Sequence, residues 1–354
     1  MNKILIILPE LKKHGGVSAY WNALLVELKK YCVIHILEIG GHGKNILGLF
    51  KDQWRVHKEL KNRYDLVFIN PSLGRKSFFR DALFSIQIRR TNTKFLSFFH
   101  GWNKEFEKII SNRYKKFFIY SFGRSERIFV LSKDFQETLL EWGYKKDIII
   151  ETTNIDKSLL NIFSIKDKIL YVQSSKKIKI LFLARILKEK GIYELIEAFI
   201  RISKRNNNLE LIIAGSGDIK NDLEKMTLKE KNIIYKGYVE GKEKALLFIQ
   251  SHIYCLPSYS EGLPTSILEA MAFSLPIITT PVGGLKDFFQ DKKMGYFVEP
   301  KNVEQIESKL ELLIGNIDKV IEIGKYNYNY ANEKLLNIVV AKRMKVYISD
   351  IINE

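Results

Sequence analysis

The chain has 354 residues, 46% hydrophobic and 27% charged, enough for two globular domains that each bury a core. No apolar run reaches the roughly 18 residues that span a bilayer, and Met1 to Pro9 reads as a short strand and not a signal peptide, so a cytoplasmic location is expected. The net charge of +17 is uneven: through residue 165 there are 28 Lys+Arg against 16 Asp+Glu, or +12, which leaves +5 for the remainder and points to an acidic partner of the first half, nucleic acid or an anionic membrane surface, although a Lys-rich coding bias also contributes.

Taken in chain order, β-rich apolar runs at 3–8, 33–39, 66–70, 94–99 and 127–131 alternate with helical patterns, and the rhythm restarts at 178–183, 209–214, 232–236, 253–256, 276–280 and 296–298. This alternation predicts parallel sheets with crossover helices. Two successive units of similar size imply two Rossmann-like domains, residues 1–165 and 166–330, with ligands bound in a cleft where strand carboxyl ends converge. The join is expected within the polar stretch 154–176, and residues 331–354 read as a terminal helix. Cys32 and Cys255 lie far apart in apolar runs, so buried free thiols are expected; no Cys or His spacing suggests zinc.

Several candidate ligand segments fall at strand ends. Lys12-Lys13-His14-Gly15-Gly16-Val17 follows the first strand, where Gly15 and Gly16 permit close backbone approach. Phe99-His100-Gly101-Trp102 follows the fourth, and Ser132-Lys133 the fifth, where Ser132 is also a good N-cap. In the second half, 178–183 delivers Ala184-Arg185-Ile186-Leu187-Lys188-Glu189-Lys190-Gly191, two of whose cations, Arg185 and Lys190, can neutralise a diphosphate. Ala214-Gly215-Ser216-Gly217-Asp218 allows a sharp turn beside a ligand, or is a plain strand-to-helix turn; it lacks the full dinucleotide glycine string.

The most informative run is Ser260-Glu261-Gly262-Leu263-Pro264-Thr265-Ser266-Ile267-Leu268-Glu269-Ala270-Met271-Ala272. Gly262 and Pro264 belong to a loop, Thr265 or Ser266 is expected to cap a helix, and Glu269 lies about one turn inside it. Exposed amides at such a helix start suit phosphate oxygens, a carboxylate one turn on suits ribose hydroxyls, and Glu261 on the loop could reach a sugar. Taken alone, the segment is also an ordinary amphipathic helix with one glutamate near its start.

These residues resemble the Glu-x7-Glu signature of retaining GT-B glycosyltransferases, and Glu-Gly-Leu-Pro with Leu-Glu-Ala-Met-Ala is similar to glycosyltransferase family 4. The resemblance covers most of 178–300 and islands of the first half. It implies a GT-B fold whose last helix, within 331–354, packs back on the first domain. It implies that Arg185 and Lys190 hold the donor diphosphate, that Gly215, Gly262, Leu263, Pro264, Thr265 and Glu269 contribute to the donor site with Glu261 near the sugar, that the Gly15–Gly16 loop lies against diphosphate and acceptor, and that His100 stands beside the donor sugar. Val282-Gly283-Gly284 matches a family turn, but Lys286-Asp287 stands where a glutamate is common.

The function so implied is transfer of a sugar, with retention, from a nucleotide-sugar donor to a glycan or lipid-linked glycan acceptor in bacterial cell-envelope, capsular or O-antigen polysaccharide assembly. No metal and no cofactor are expected, because the diphosphate partners are cations and a helix start. The basic half, with Lys and Arg interleaved among aromatics at 75–90 and 104–127, is expected to hold the enzyme at the anionic inner face of the cell membrane. A GT-B sugar-nucleotide epimerase or phosphorylase is the alternative within the fold. A basic nucleic-acid-binding protein is the alternative from another class, disfavoured because no nucleic-acid motif is present; an NAD-dependent oxidoreductase is disfavoured because the dinucleotide glycine string is absent.

Overall fold

The computed structural model describes residues 1–13, 15–40 and 46–353, with side chains at all of these but 46, 220, 221 and 227–229. His14 of the first glycine loop lies outside the described residues. The chain divides into two compact units, Met1–Asn154 together with Asn337–Glu354, and Ile155–Leu336.

In chain order the first unit contains β1 (Lys3–Pro9), α1 (Gly16–Leu28), β2 (Val33–Ile39), α2 (Ile46–Glu59), β3 (Leu66–Ile69), β4 (Ser72–Leu73), α3 (Arg75–Arg89), β5 (Phe95–Phe98), β6 (Gly101–Trp102), α4 (Lys104–Ile109), α5 (Lys115–Phe122), β7 (Arg127–Val130), α6 (Lys133–Glu141) and β8 (Asp147–Ile150). The second contains α7 (Ile165–Ser174), β9 (Ile178–Leu183), α8 (Ile192–Ser203), β10 (Leu209–Ala214), α9 (Lys220–Lys229), β11 (Ile233–Tyr235), α10 (Gly241–Ile249), β12 (Ile253–Leu256), α11 (Thr265–Ala272), β13 (Ile277–Thr279), α12 (Leu285–Phe288), β14 (Gly295–Phe297), α13 (Val303–Ile314) and α14 (Ile317–Lys334); α15 (Asn337–Asn353) returns to the first.

The main sheets are six-stranded, β2-β1-β3-β5-β7-β8 and β11-β10-β9-β12-β13-β14, and all their pairings are parallel. Parallel strands covered by helices on both faces read as continuous apolar runs. Ile4 to Leu8 and Ile253 to Leu256 are buried throughout. In the first sheet the chain reverses direction between β1 and β3, in the second between β9 and β12. At such a switch point the loops leaving adjacent strands part to opposite faces and open a crevice at the carboxyl edge.

Strand β8 was not expected. Its Asp147-Ile148-Ile149-Ile150 run is short and half-exposed at the sheet edge, so its placement comes from pairing with β7. The units part after Asn154, not after residue 165, because the segment that follows is fastened to the second unit. There Ile155 N donates to Leu335 O at 2.9 Å, the 3₁₀ turn 157–162 packs on α10, and the Phe163 ring meets Phe273 and Tyr328 at 5.1 and 5.7 Å between centroids. At the other end, residues 331–334 complete α14 and only Asn337 onward joins the first unit. Asn337 donates to Ala23 O (3.0 Å), Lys94 donates to Ile351 O (2.8 Å), and Arg343 pairs with Glu151 at 2.6 Å, while Val340, Met344, Ile348 and Ile351 are buried.

In the aromatic-rich stretches 75–90 and 104–127, expected at an interfacial surface, most of the phenylalanines turn inward while Leu83, Ile109 and Tyr120 are exposed. Phe78, Phe84, Phe106, Phe118 and Phe122 are buried, and Phe78 packs against Phe106, Phe118 and Phe122 at 5.6–6.4 Å between ring centroids. Their alternation with lysine and arginine is the ordinary two-sidedness of core-facing helices.

His252 is fully buried, its Nδ1 accepts from the Lys179 amide at 3.1 Å, and burial, followed by Lys168 and Lys179, pushes its pKa down to about 3. The ordinary value is 6.5, so the unfolded chain takes up a proton here that the folded chain refuses. Stability from this group is complete above pH 6.5 and is lost as pH falls toward 3, by up to about 1.4 kcal/mol per pH unit. Thermal melts from pH 7 to 4 are expected to show a shallower decline for His252→Asn than for the unaltered protein.

Candidate functional site

In the second unit the expected donor residues converge at the β9/β12 switch point. Beyond Leu183 the chain makes an open turn at Arg185, whose carbonyl accepts from Leu187 N at 2.9 Å, and then a single 3₁₀ turn at Lys188–Lys190. Gly191 follows with φ +71° and begins α8. A Cβ at Gly191 would stand 2.1 Å from Pro257 O, so only glycine lets this loop approach the end of β12. The Tyr259 amide (2.8 Å) and the Ser258 hydroxyl (3.1 Å) both donate to Glu189 O and tie the two loops together.

That approach brings Lys190 to Glu261. The ammonium lies 2.6 Å from Glu261 Oε1, and both side chains are about nine-tenths buried. Arg185, by contrast, is exposed and makes no ion pair among the described residues. Glu269, one turn inside α11, is buried, and its Oε1 accepts from Lys244 Nζ of α10 at 2.7 Å. Both carboxylates thus keep a second oxygen without a hydrogen bond among the described residues.

Helix α11 starts differently from expectation. Its N-cap is Pro264, Thr265 is the first helical residue, and no side chain caps it. Ser266 is diverted, its hydroxyl accepting from the Tyr254 hydroxyl at 2.8 Å, which also lies 2.8 Å from Leu183 O. The Thr265 and Ser266 amides therefore have no internal acceptor and stay available to an anion at the positive end of the helix. Leu263 is buried, and Gly262 O accepts from Gly284 N at 2.7 Å.

Two glycine loops support this arrangement without supplying it. Gly283 has φ +55°, and a Cβ there would lie 2.2 Å from Glu261 O, so the Val282-Gly283-Gly284 turn braces the Glu261–Gly262 backbone. Gly215 has φ +137°, with its would-be Cβ 1.8 Å from Ala184 O. Its amide donates to Gly237 O at 2.7 Å. That N–H is paired inside the protein, and the missing Cβ lets the loop lie against Ala184 and Ile186.

Sequence reasoning missed Lys244, which sits in a helix with no motif around it, and the positioning role of Tyr254, which reads as one more apolar residue of a buried strand. Among the described residues no group of three or more His, Cys, Asp or Glu could hold a metal ion.

In the first unit, Gly15 and Gly16 enter α1 beside the end of β1. A Cβ at either would meet nothing within 4 Å, so no internal packing explains the two glycines, and the space beside them is open. His100 follows β5, with its ring stacked on Phe98 at 3.8 Å and 4.7 Å from Tyr20. Burial holds its pKa down to about 3, so the ring is neutral, and its Nε2 is a buried polar atom without a hydrogen-bond partner. The Tyr20 hydroxyl is likewise buried and unpartnered. Such atoms are scarce in folded proteins and suit a ligand or an ordered water. Ser132 is accounted for as the N-cap of α6, accepting from Phe135 N at 3.3 Å.

Residues 166–330 match the model of the family described as glycosyl transferases group 1. A putative teichuronic acid biosynthesis glycosyltransferase of Bacillus subtilis is 33% identical over 125 residues, 35% of this chain and 30% of that protein. Across the first curated relatives the matched segments span 30% to 59% of the relative's length. Among solved structures, sucrose-phosphate synthase from Thermosynechococcus elongatus superposes with a TM-score of 0.79 at 15% identity, covering 100% of both chains. Anabaena HepE in complex with UDP and glucose gives 0.73 at 14%, covering 99% of this chain and 100% of that one. The chain has the fold of these GT-B proteins, and most of its second unit matches the glycosyl transferases group 1 model.

Proposed function

We propose that the protein is a retaining, metal-independent glycosyltransferase that takes its sugar from a nucleotide-sugar donor. The observation that carries this reading is the pair of lysine-bound carboxylates, Lys190–Glu261 at 2.6 Å and Lys244–Glu269 at 2.7 Å, flanking the uncapped start of α11 at the β9/β12 switch point. The uncapped amides and two cations, Arg185 and Lys190, suit a diphosphate. The free oxygen of Glu269 suits ribose hydroxyls and that of Glu261 a sugar hydroxyl. The family match of this unit and the UDP and glucose bound by HepE favour a sugar nucleotide over other diphosphates.

In the proposed reaction the acceptor oxygen forms a bond to the anomeric carbon on the face from which the phosphate leaves. The bond from that carbon to the phosphate oxygen breaks, and the acceptor proton passes to the departing phosphate. Negative charge grows on the diphosphate as it leaves, and Arg185 and Lys190 are the groups that answer it. In the first unit, neutral His100 would donate or accept a hydrogen bond at a sugar hydroxyl, with the open Gly15–Gly16 entrance receiving acceptor or diphosphate. The relation to a teichuronic acid glycosyltransferase favours a glycan or lipid-linked glycan acceptor of cell-envelope polymer assembly. The +12 charge through residue 165 favours attachment of the first unit to an anionic membrane surface, and no helix of the described residues is long and apolar enough to cross one.

Arg185→Ala is expected to lower kcat about a hundredfold with no change in melting temperature, since the side chain is exposed. Lys190→Ala is expected to match that loss and also to lower stability, because Glu261 is left buried without its partner. Near-normal turnover of folded Arg185→Ala would overturn the donor assignment. Glu269→Ala is expected to raise the dissociation constant for the nucleotide with a smaller effect on kcat, read by calorimetry alongside single-turnover rates.

Excess EDTA is expected to leave the transfer rate unchanged. A rate abolished by chelator and restored by manganese would show that the diphosphate is neutralised by metal and not by these cations. The anomeric configuration of the product, read by NMR, tests retention separately.

A further inference from the structure

Helix α2 turns its largest apolar residues outward. Leu47, Phe50 and Trp54 are 78%, 67% and 62% exposed, and their i, i+3, i+7 spacing puts them in one stripe. The opposite face holds the helix in place through Gly48, Val56 and buried Asp52, which accepts from Gly40 N at 2.9 Å. Gln53 donates to Arg80 O of α3 at 3.0 Å and accepts from Gln87 at 2.5 Å. This reverses the usual amphipathic arrangement, in which the aromatic side chains face the core. Single exposed apolar residues are common; three large ones in a row along one helix mark an interaction surface.

Exposed Lys51 and Lys58 flank the stripe, with Lys58 Nζ 5.6 Å from the centre of the Trp54 ring. Arg75, Lys76 and Arg90 are exposed on or just after α3, the neighbour of α2. At 14 residues the helix is about 21 Å long, too short to span a bilayer but suited to lie in its plane.

We propose that α2 inserts Leu47, Phe50 and Trp54 into the interfacial layer of an anionic bilayer while Lys51 and Lys58 meet the headgroup phosphates. The proposal rests on the membrane attachment inferred above and replaces the aromatic stretches 75–90 and 104–127 as its apolar component. Charge selects this occupant over a second copy of the chain: two surfaces of a region carrying +12 repel, whereas an anionic leaflet attracts both the lysines and the region behind them.

Trp54 supplies its own reporter, because Trp21 and Trp142 are buried and Trp102 is packed against Phe135. The full chain would be mixed with phosphatidylglycerol-containing or pure phosphatidylcholine vesicles, some carrying acyl-chain bromines, and followed by tryptophan fluorescence and co-sedimentation. Expected are a blue shift and bromine quenching with the anionic vesicles only. Trp54→Phe should abolish both signals while the protein still sediments. The double variant Leu47→Ser/Phe50→Ser should weaken binding roughly tenfold or more with an unchanged melting temperature.

Salt-sensitive sedimentation without Trp54 quenching would leave electrostatic attachment standing and overturn insertion. Absence of sedimentation at low salt would overturn both. A lipid-independent blue shift that grows with protein concentration and disappears in the double variant would assign the stripe to self-association and overturn the proposal.

Discussion

The buried ion pair between Lys190 and Glu261 is the constraint on which the rest of the candidate donor site depends. Removing two charges from water is costly, and a pair at 2.6 Å seldom does more than offset that cost, so such a pair is poor evidence of stabilisation. What it does is fix position. It joins the loop leaving β9 to the loop leaving β12, two segments that diverge at a topological switch point and would otherwise be free to part. Gly191 against Pro257 allows the close approach, and Ser258 and Tyr259 hold it by hydrogen bonds to Glu189 O, while Gly283 and Gly284 of the loop after β13 brace the Glu261–Gly262 backbone.

The same arrangement places charge where a dianionic ligand needs it. Glu261 and Glu269 each arrive bound to a lysine, so the two carboxylates do not by themselves make the region repel phosphate. One oxygen of each remains for hydroxyl groups, while Arg185 and the α11 amides have no internal partner. A neutral or cationic ligand would gain little from that combination. The sugar nucleotide proposed above, with a diphosphate between two hydroxyl-rich rings, would use each of these groups.

The first unit follows a different physical logic. Its core is built from stacked aromatics and closed by α15, whose Arg343 satisfies buried Glu151. Within this apolar packing a few polar atoms remain without partners, the His100 Nε2 and the Tyr20 hydroxyl among them, and burial keeps the imidazole uncharged. A neutral ring is both a donor and an acceptor, which fits hydroxyl recognition and not phosphate binding. The two cations that suit a diphosphate, Arg185 and Lys190, lie in the second unit.

By itself the sequence determined the alternating α/β rhythm, because parallel strands covered on both faces must be continuous apolar runs, and eleven of these run at or near the places that periodicity indicates, from 3–8 to 296–298. It also determined that Arg185, Lys190, Glu261 and Glu269 stand at strand ends and a helix start, since turn-forming glycine and proline mark those points locally. Tertiary structure alone decided what depends on distance through space. Lys244 reaches Glu269 across 25 residues and Lys190 reaches Glu261 across 71, and no local pattern records either pairing. Edge pairing made a strand of Asp147–Ile150, and the packing of 155–163 within the second unit set the boundary at Asn154. Whether an aromatic faces core or solvent was equally undecidable from composition: Phe78, Phe84, Phe118 and Phe122 of α3 and α5 turned inward and Phe50 and Trp54 of α2 outward, because each helix is oriented by what lies beneath it and not by its own residue content.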